Sequence, residues 1–193
     1  MSIHARRERE RTQRHELIVT AARELAEAEG WEAVTTRRLA DRIEYSQPVL
    51  YSHFSGKDAI VAAVAVRGFA ELAGALAAAR GAGEAGEPGA ALAAVARAYV
   101  DFAHANPALY DAMFSLATDL PFGGPDAPEA LREAFGQLLG VFVPLAGDRD
   151  AETFTEVGWS ALHGLVTLTR GGRLRPDLAE RRLTILVDQL SRP

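Results

Sequence analysis

Between residues 35 and 57 the sequence reads TTRRLADRIEYSQPVLYSHFSGK, and no other stretch limits the possible folds as strongly. Thr35 is a good N-cap for a helix over 36–42, with Leu39, Ala40 and Ile43 on its inner side. Glu44 and Tyr45 form a turn. Ser46 then occupies a second N-cap position, ahead of a helix from Gln47 to about His53, and Pro48 lies in its first turn, where a missing N–H does no harm. Helices this short are not stable alone, so they need a third surface to pack on. Residues 12–29 supply it: Ile18, Ala21, Ala22, Leu25 and Ala28 recur at helical spacing, and Gly30 ends that helix. Trp31 follows, where a large apolar ring closes over the helix end and core packing is its ordinary use.

Further along, Ser55 and Asp58 have capping-box spacing and open an Ala/Val-rich helix to about residue 80, whose first turn holds Lys57, the chain's single lysine. The segment GAGEAGEPG over 81–89 reads as a flexible connection. Helices are expected near 90–105, 107–117, 128–146, 150–170 and 176–191, with Pro107, Pro128 and Pro176 each suited to a helix start. PFGGPDAP, after Leu120, reads as a loop or a mobile lid. Hydrophobic residues are 48% of the chain, led by Ala, and aromatics only 7%, which favours closely packed helices over sheets. The expected fold class is all-α. Residues 1–57 form an N-terminal arm and a three-helix helix-turn-helix domain, and 58–193 a helical domain.

The absence of cysteine excludes disulfides, thiolate catalysis and Cys-ligated zinc, and suits a reducing cytoplasm. No stretch reaches ~18 uninterrupted apolar residues, so no membrane partner is expected. The formal charge of -5 is uneven: residues 1–57 carry ten basic and nine acidic groups, leaving -6 for the remainder. Arg6, Arg7, Arg9, Arg11 and Arg14 face only Glu8 and Glu10. This short cationic arm fits contact with phosphates and a solvated tail equally. An enzyme is one competing class, but there is no HExxH, no phosphate-binding Gly loop and no nucleophile elbow, and His104, His163 and Asp119 are scattered. No metal or cofactor is expected. A helical protein-binding module is the second competing class.

In a helix-turn-helix the second short helix enters the major groove and the first crosses the backbone. Gln47 suits a base edge, Pro48 or Val49 a thymine methyl, and Tyr51, His53 and Lys57 the phosphates. Thr36 and Arg37 add a phosphate contact at a helix N-terminus. The whole segment TTRRLADRIEYSQPVLYSHFSGKDAI closely resembles the DNA-binding segment of the TetR family of regulators. The match includes Thr35 four residues before Leu39-Ala40, then Ser46, then the Tyr51, Phe54 and Lys57 spacing, and the Gly30 stop before it. The resemblance implies DNA contacts at Thr36, Arg37, Gln47, Pro48, Val49, Tyr51, His53 and Lys57, with Leu39, Ala40, Ile43, Leu50 and Phe54 as core. One departure stands out. The family usually has Gly in the turn where this chain has Glu44, followed by Tyr45, and a left-handed residue other than Gly costs ~1–2 kcal/mol, so either the turn differs slightly or the three-helix core absorbs that cost.

Two later runs, AYVDFAHANPALYDAMF (98–114) and GWSALHGLVTLTRGG (158–172), look like the TetR C-terminal class named for a Trp-His-Gly signature, here Trp159, His163 and Gly164. Trp159 and His163 lie four apart on one helix face and suit a shared cavity. They suit packing and a hydrogen-bonded core histidine equally well. Gly164 lets another helix approach. Tyr99, Phe102, Tyr110, Met113 and Phe114 fit both the walls of an apolar pocket and a core stripe; on the pocket reading the effector is small and largely hydrophobic. The last two helices carry Val157, Ala161, Leu165 and Leu168 on one stripe and Leu178, Leu183, Leu186, Val187 and Leu190 on the other. The resemblance implies that these form a two-fold, four-helix homodimer interface, that the double-stranded operator is roughly palindromic, and that a ligand relieves repression.

Overall fold

A computed structural model of the chain describes residues 3–83, 88–116, 118–122 and 124–192. Among these the chain is all-α, with no strand. The helices are α1 (Ile3–Glu29), α2 (Thr36–Arg42), α3 (Gln47–Tyr51), α4 (Lys57–Gly83), α5 (Pro88–Ala105), α6 (Pro107–Phe114), α7 (Glu129–Phe142), α8 (Ala151–Arg170) and α9 (Ala179–Leu190). Short 3-10 turns follow α1 (Trp31–Ala33) and α7 (Val143–Leu145) and precede α9 (Pro176–Leu178). The centre of the connection expected over 81–89 lies outside the described residues. The chain divides into two compact units, one of Met1–Gly68 with Asn106–Pro121, the other of Phe69–Ala105 with Phe122–Pro193.

The first unit is built on α1. Its Ile18, Val19, Ala21, Ala22, Leu25 and Ala26 are buried, and Gly30 ends it at a positive φ of 84° that a side chain would resist. Trp31 then packs inward, and its Nε1–H donates to the Ala108 carbonyl at 2.7 Å. Glu27 accepts the backbone N–H groups of Ala108 and Leu109 at 3.0 and 2.9 Å. A carboxylate thus satisfies the orphan amides at the start of α6, where the residue before the helix, Asn106, makes no side-chain cap. The Asn106 side chain instead accepts from Arg23 at 2.7 Å. Together these contacts fix α6 against α1.

Thr35 caps α2 as expected, accepting from the Arg38 N–H at 3.2 Å. Ser46 stands before α3 but makes no side-chain cap; Pro48 occupies the first turn and removes one donor that such a cap would serve. The intervening turn closes like a Schellman motif, with the Tyr45 N–H donating to the Ala40 carbonyl at 3.0 Å. That closure forces Glu44 to φ 57°, and it is the non-glycine residue with positive φ among those described. Of the two outcomes open at this turn, a different geometry or a left-handed residue whose cost the core absorbs, the second is therefore the one found. Replacing Glu44 with Gly should raise stability by about 0.5–1 kcal/mol, the relief being partly offset by the freedom of glycine in the unfolded chain. A denaturant midpoint that falls or stays fixed would contradict this.

Helix α1 begins nine residues before the expected start at residue 12. Its first turns have no apolar periodicity for a sequence reading to detect. They carry the Arg6–Glu10 pair at 2.8 Å, of the i,i+4 kind that supports exposed helices. Helix α4 presents the opposite pattern. By length and composition its Lys57–Ala82 stretch is apolar enough to cross a membrane, although half of the most apolar window is buried inside the chain. Ile60, Val61, Val64, Ala65, Phe69, Leu72, Ala73 and Leu76 are the buried residues, the pattern of a core helix.

In the second unit α5 packs on α7, α8 and α9, and α7 packs on α8. Leu92, Val95, Ala96, Tyr99, Leu138, Val141, Phe142, Leu162 and Val166 are buried there. Asp150 caps α8 by accepting from the Thr153 N–H at 2.8 Å. The close-approach glycine of α8 is Gly158: a Cβ there would lie 2.2 Å from Cζ of Phe142, whereas one on Gly164 would meet open space. No described residue makes the close approach that Gly164 permits. Leu183, assigned from sequence to an intersubunit stripe, is buried in its own chain because α9 packs against α5.

Candidate nucleic-acid interface

Helix α3 is only five residues long and is held by one anchor, the buried Leu50, with Phe54 buried just beyond it. Burial of those two side chains fixes which way the rest must face. Gln47, Pro48 and Tyr51 are exposed and Val49 half-buried, so a helix with an apolar root presents a polar and apolar outer surface. Tyr51 is 54% exposed. Its hydroxyl lies 3.4 Å from Oγ1 of Thr36 at the N-terminus of α2, which brings two of the residues singled out from sequence together. Arg37 beside it is exposed. Arg38 and Arg42 are occupied elsewhere, in pairs with Glu29 and Glu24 of α1 at 2.8 and 3.0 Å.

Lys57 begins α4, and its Nζ donates to the Trp31 carbonyl at 2.6 Å. The ammonium therefore ties the start of α4 to the end of α1 while retaining two further donors. His53 is half-buried. Burial first, and then the charges of Arg14, Arg11 and His15, hold its imidazole below the ordinary histidine range. His15 is stacked on Phe54 with ring centroids 4.5 Å apart, which sets this part of α1 against the segment that follows α3.

A buried-root, exposed-tip short helix after a tight turn is the geometry of a reading head, and comparison with known proteins agrees. The family model described as bacterial regulatory proteins, tetR family, matches residues 18–64, and that of the tetracyclin repressor-like C-terminal domain matches residues 92–190. The chain belongs to the TetR family of transcriptional regulators. An HTH-type transcriptional regulator of Mycobacterium tuberculosis is 31% identical over 160 residues, covering 81% of this chain and 70% of the relative. The class C tetracycline repressor of Escherichia coli is 46% identical over 50 residues, 26% of this chain and 23% of that protein. Among solved structures, a protein of unknown function from Rhodococcus sp. RHA1 superposes with a TM-score of 0.77 at 26% identity, covering 92% of this chain and 93% of the other. The TetR family regulator PfmR of Thermus thermophilus shares the fold with a TM-score of 0.60 at 20% identity, covering 90% and 96%. This TetR-family chain is a DNA-binding transcriptional regulator, and its relatives are regulators rather than enzymes.

The effector candidates fall into the two units. In the second, Trp159 Nε1–H donates to the Tyr99 hydroxyl at 3.1 Å, and the rings of Trp159 and His163 are 6.2 Å apart. His163 Nε2 lies 3.4 Å from Oγ1 of Thr167, and burial lowers the pKa of its imidazole. Tyr99 and Phe102 are buried, Trp159 and His163 half-buried. Tyr110, Met113 and Phe114 belong to α6 in the first unit, where Tyr110 and Phe114 are 4.7 Å apart between centroids. The structure thus assembles Tyr99, Trp159 and His163 in the second unit. A cavity of about 80 Å³ between α5, α8 and α9 is lined by none of the seven. Its polar lining on α5, Arg97, Asp101 and His104, was missed as a group, although spacing of four and three would have put the three on one face.

Proposed function

We propose that this TetR-family regulator is a cytoplasmic homodimeric repressor, held on a roughly palindromic double-stranded operator until a small, largely apolar effector binds its C-terminal helical domain. The observation that carries the reading is the exposure of Gln47, Pro48 and Tyr51 around the buried anchor Leu50. In this assignment Gln47 reads a base edge and Pro48 and Val49 touch thymine methyls. Thr36, Arg37, Tyr51, His53 and Lys57 contact phosphates. Dimerisation is supported by Val157, Leu168 and Ile185, which are 57%, 44% and 51% exposed on α8 and α9. Large aliphatic side chains so placed gain by burial against a second copy, and the open space at Gly164 allows close approach there. Such a dimer sets two α3 helices about 34–36 Å apart, one turn of DNA.

The hydrogen-bonded Tyr99 and Trp159, with His163 beside them, supply the apolar walls and few polar groups that suit an effector. Differential binding of that effector to two dimer states, worth ~1–3 kcal/mol, would weaken DNA binding by about 5- to 150-fold.

Selection of bound sequences from a random duplex pool tests the reading head. Wild-type protein should yield an inverted repeat. Gln47→Ala should relax preference at defined bases by ~1–3 kcal/mol and leave the other positions unchanged. An unaltered motif would remove Gln47 from direct readout.

A further inference from the structure

We propose that the first four turns of α1 form a second DNA-contacting element, in which Arg7, Arg11 and Arg14 hold backbone phosphates flanking the bases read by α3. This rests on the reading-head assignment above and extends the interface beyond the helix-turn-helix. Four observations carry it.

The first is position. Arg7, Arg11, Arg14 and Ile18 follow one another at spacings of four, three and four, so the three arginines continue the stripe through which Ile18, Ala22 and Leu25 enter the core. The face that α1 turns toward the rest of the module is thus prolonged past the core as a row of guanidinium groups. Over Arg7 to Arg14 that row spans about 10 Å at ~1.5 Å per residue, roughly the rise of three nucleotides on one strand.

The second is the absence of any packing reason for the start of this stretch. Every residue from His4 to Arg9 is exposed, and up to Gln13 none is buried. Turns this polar contribute nothing to the core. The third is charge placement. The first turn of α1 has no acidic residue, and arginines gather at the end of the helix where the macrodipole opposes cations. Arg7 and Arg11 are also like charges at i,i+4, a destabilising arrangement. Glu10 is hydrogen-bonded to Arg6 at 2.8 Å and has Arg14 and Arg7 as further positive neighbours, so one carboxylate serves several guanidinium groups. An anion supplied from outside would reverse both penalties.

The fourth is convergence. The His15–Phe54 stack sets this part of α1 against the segment leaving α3, where Arg11 and Arg14 are positive neighbours of His53. Residues assigned to phosphates from two separate elements thereby share one cationic surface. Duplex DNA fits it: guanidinium groups bind phosphate bidentately, and a row of them follows a strand.

The test uses the full chain and the motif selected by wild-type protein, carried on two duplexes, one with extended flanks and one trimmed to the motif. Affinity is measured by anisotropy across a salt series for wild type, for Arg7→Gln/Arg11→Gln/Arg14→Gln, and for the same three positions changed to Lys. On the long duplex the Gln variant should bind at least ~10- to 100-fold more weakly near physiological salt, with its salt slope shallower by about five, since a dimer loses six phosphate contacts. Its selected motif should not change. The Lys variant should keep most of the wild-type slope, and on the trimmed duplex wild type and Gln variant should converge. Helical content and melting measured beside these values separate a folding defect from a lost contact. A Gln variant with the wild-type slope on the long duplex overturns the arm alone. A wild-type protein that selects no motif overturns the reading head and the arm with it.

Discussion

Replacing Trp31 with Ala should destabilise the first unit by about 3–5 kcal/mol, a large part of the ~5–15 kcal/mol that holds a typical domain together. The indole is buried between α1 and α6, so its removal leaves a cavity. It also leaves the Ala108 carbonyl without the donor that reaches it at 2.7 Å, which by itself costs about 1–3 kcal/mol if the oxygen stays buried. Trp31→Phe separates the two effects, since it keeps most of the ring and loses the N–H; its cost should be close to the second figure. The Lys57 contact survives both changes because its acceptor is the Trp31 backbone carbonyl. Chemical denaturation measures the losses. Hydrogen exchange should localise them, through faster exchange of the Ala108 and Leu109 amides that Glu27 accepts. A loss below about 1 kcal/mol for Trp31→Ala would show that α6 is held to α1 by other contacts.

The second large effect is expected at Gly158. A methyl group added there would stand 2.2 Å from Cζ and 2.4 Å from Cε1 of Phe142, far inside contact distance. The Phe142 ring is fully buried and sits edge-on to Phe154 with centroids 5.4 Å apart, while the Arg149 guanidinium covers Phe154 at 4.0 Å. With its neighbours stacked in this way the ring has little room to move, and α7 and α8 must separate instead. Gly158→Ala should destabilise by about 3 kcal/mol, the upper end for overpacking, and Gly158→Val by more. Pairing Gly158→Ala with Phe142→Leu should be less harmful than the sum of the two single changes, because the smaller side chain vacates the space the methyl group needs. Additivity in that cycle would show that the glycine is required for some other reason. DNA binding offers an independent readout: on the dimer reading, loosening α8 weakens binding to a two-site operator more than to a single half-site.

Much of the reading head was legible in the sequence because its determinants are local. A cap at Thr35, the spacing of Leu39, Ala40, Leu50 and Phe54, and the helix stop at Gly30 each act over a few residues, and each is found where the pattern puts it. The turn at Glu44 was legible only as a choice between a changed geometry and a strained residue; the structure decides for strain, since Tyr45 closes on Ala40 with the residue between helix and return left-handed. The TetR family pattern added the identity of the module, since it joins those local signals at fixed distances. What only the tertiary structure decided involves groups far apart in sequence, or space that no pattern encodes. Glu27 caps a helix 81 residues away. Lys57 is tied to Trp31 across 26 residues. Gly158 rather than Gly164 is the glycine pressed against a ring. The seven aromatic and Met/His effector candidates share a periodic signal but are divided between two compact units, because periodicity reports which face is buried and not what it is buried against. Helix propensity and facing are properties of the chain, whereas partners and clearances are properties of the fold.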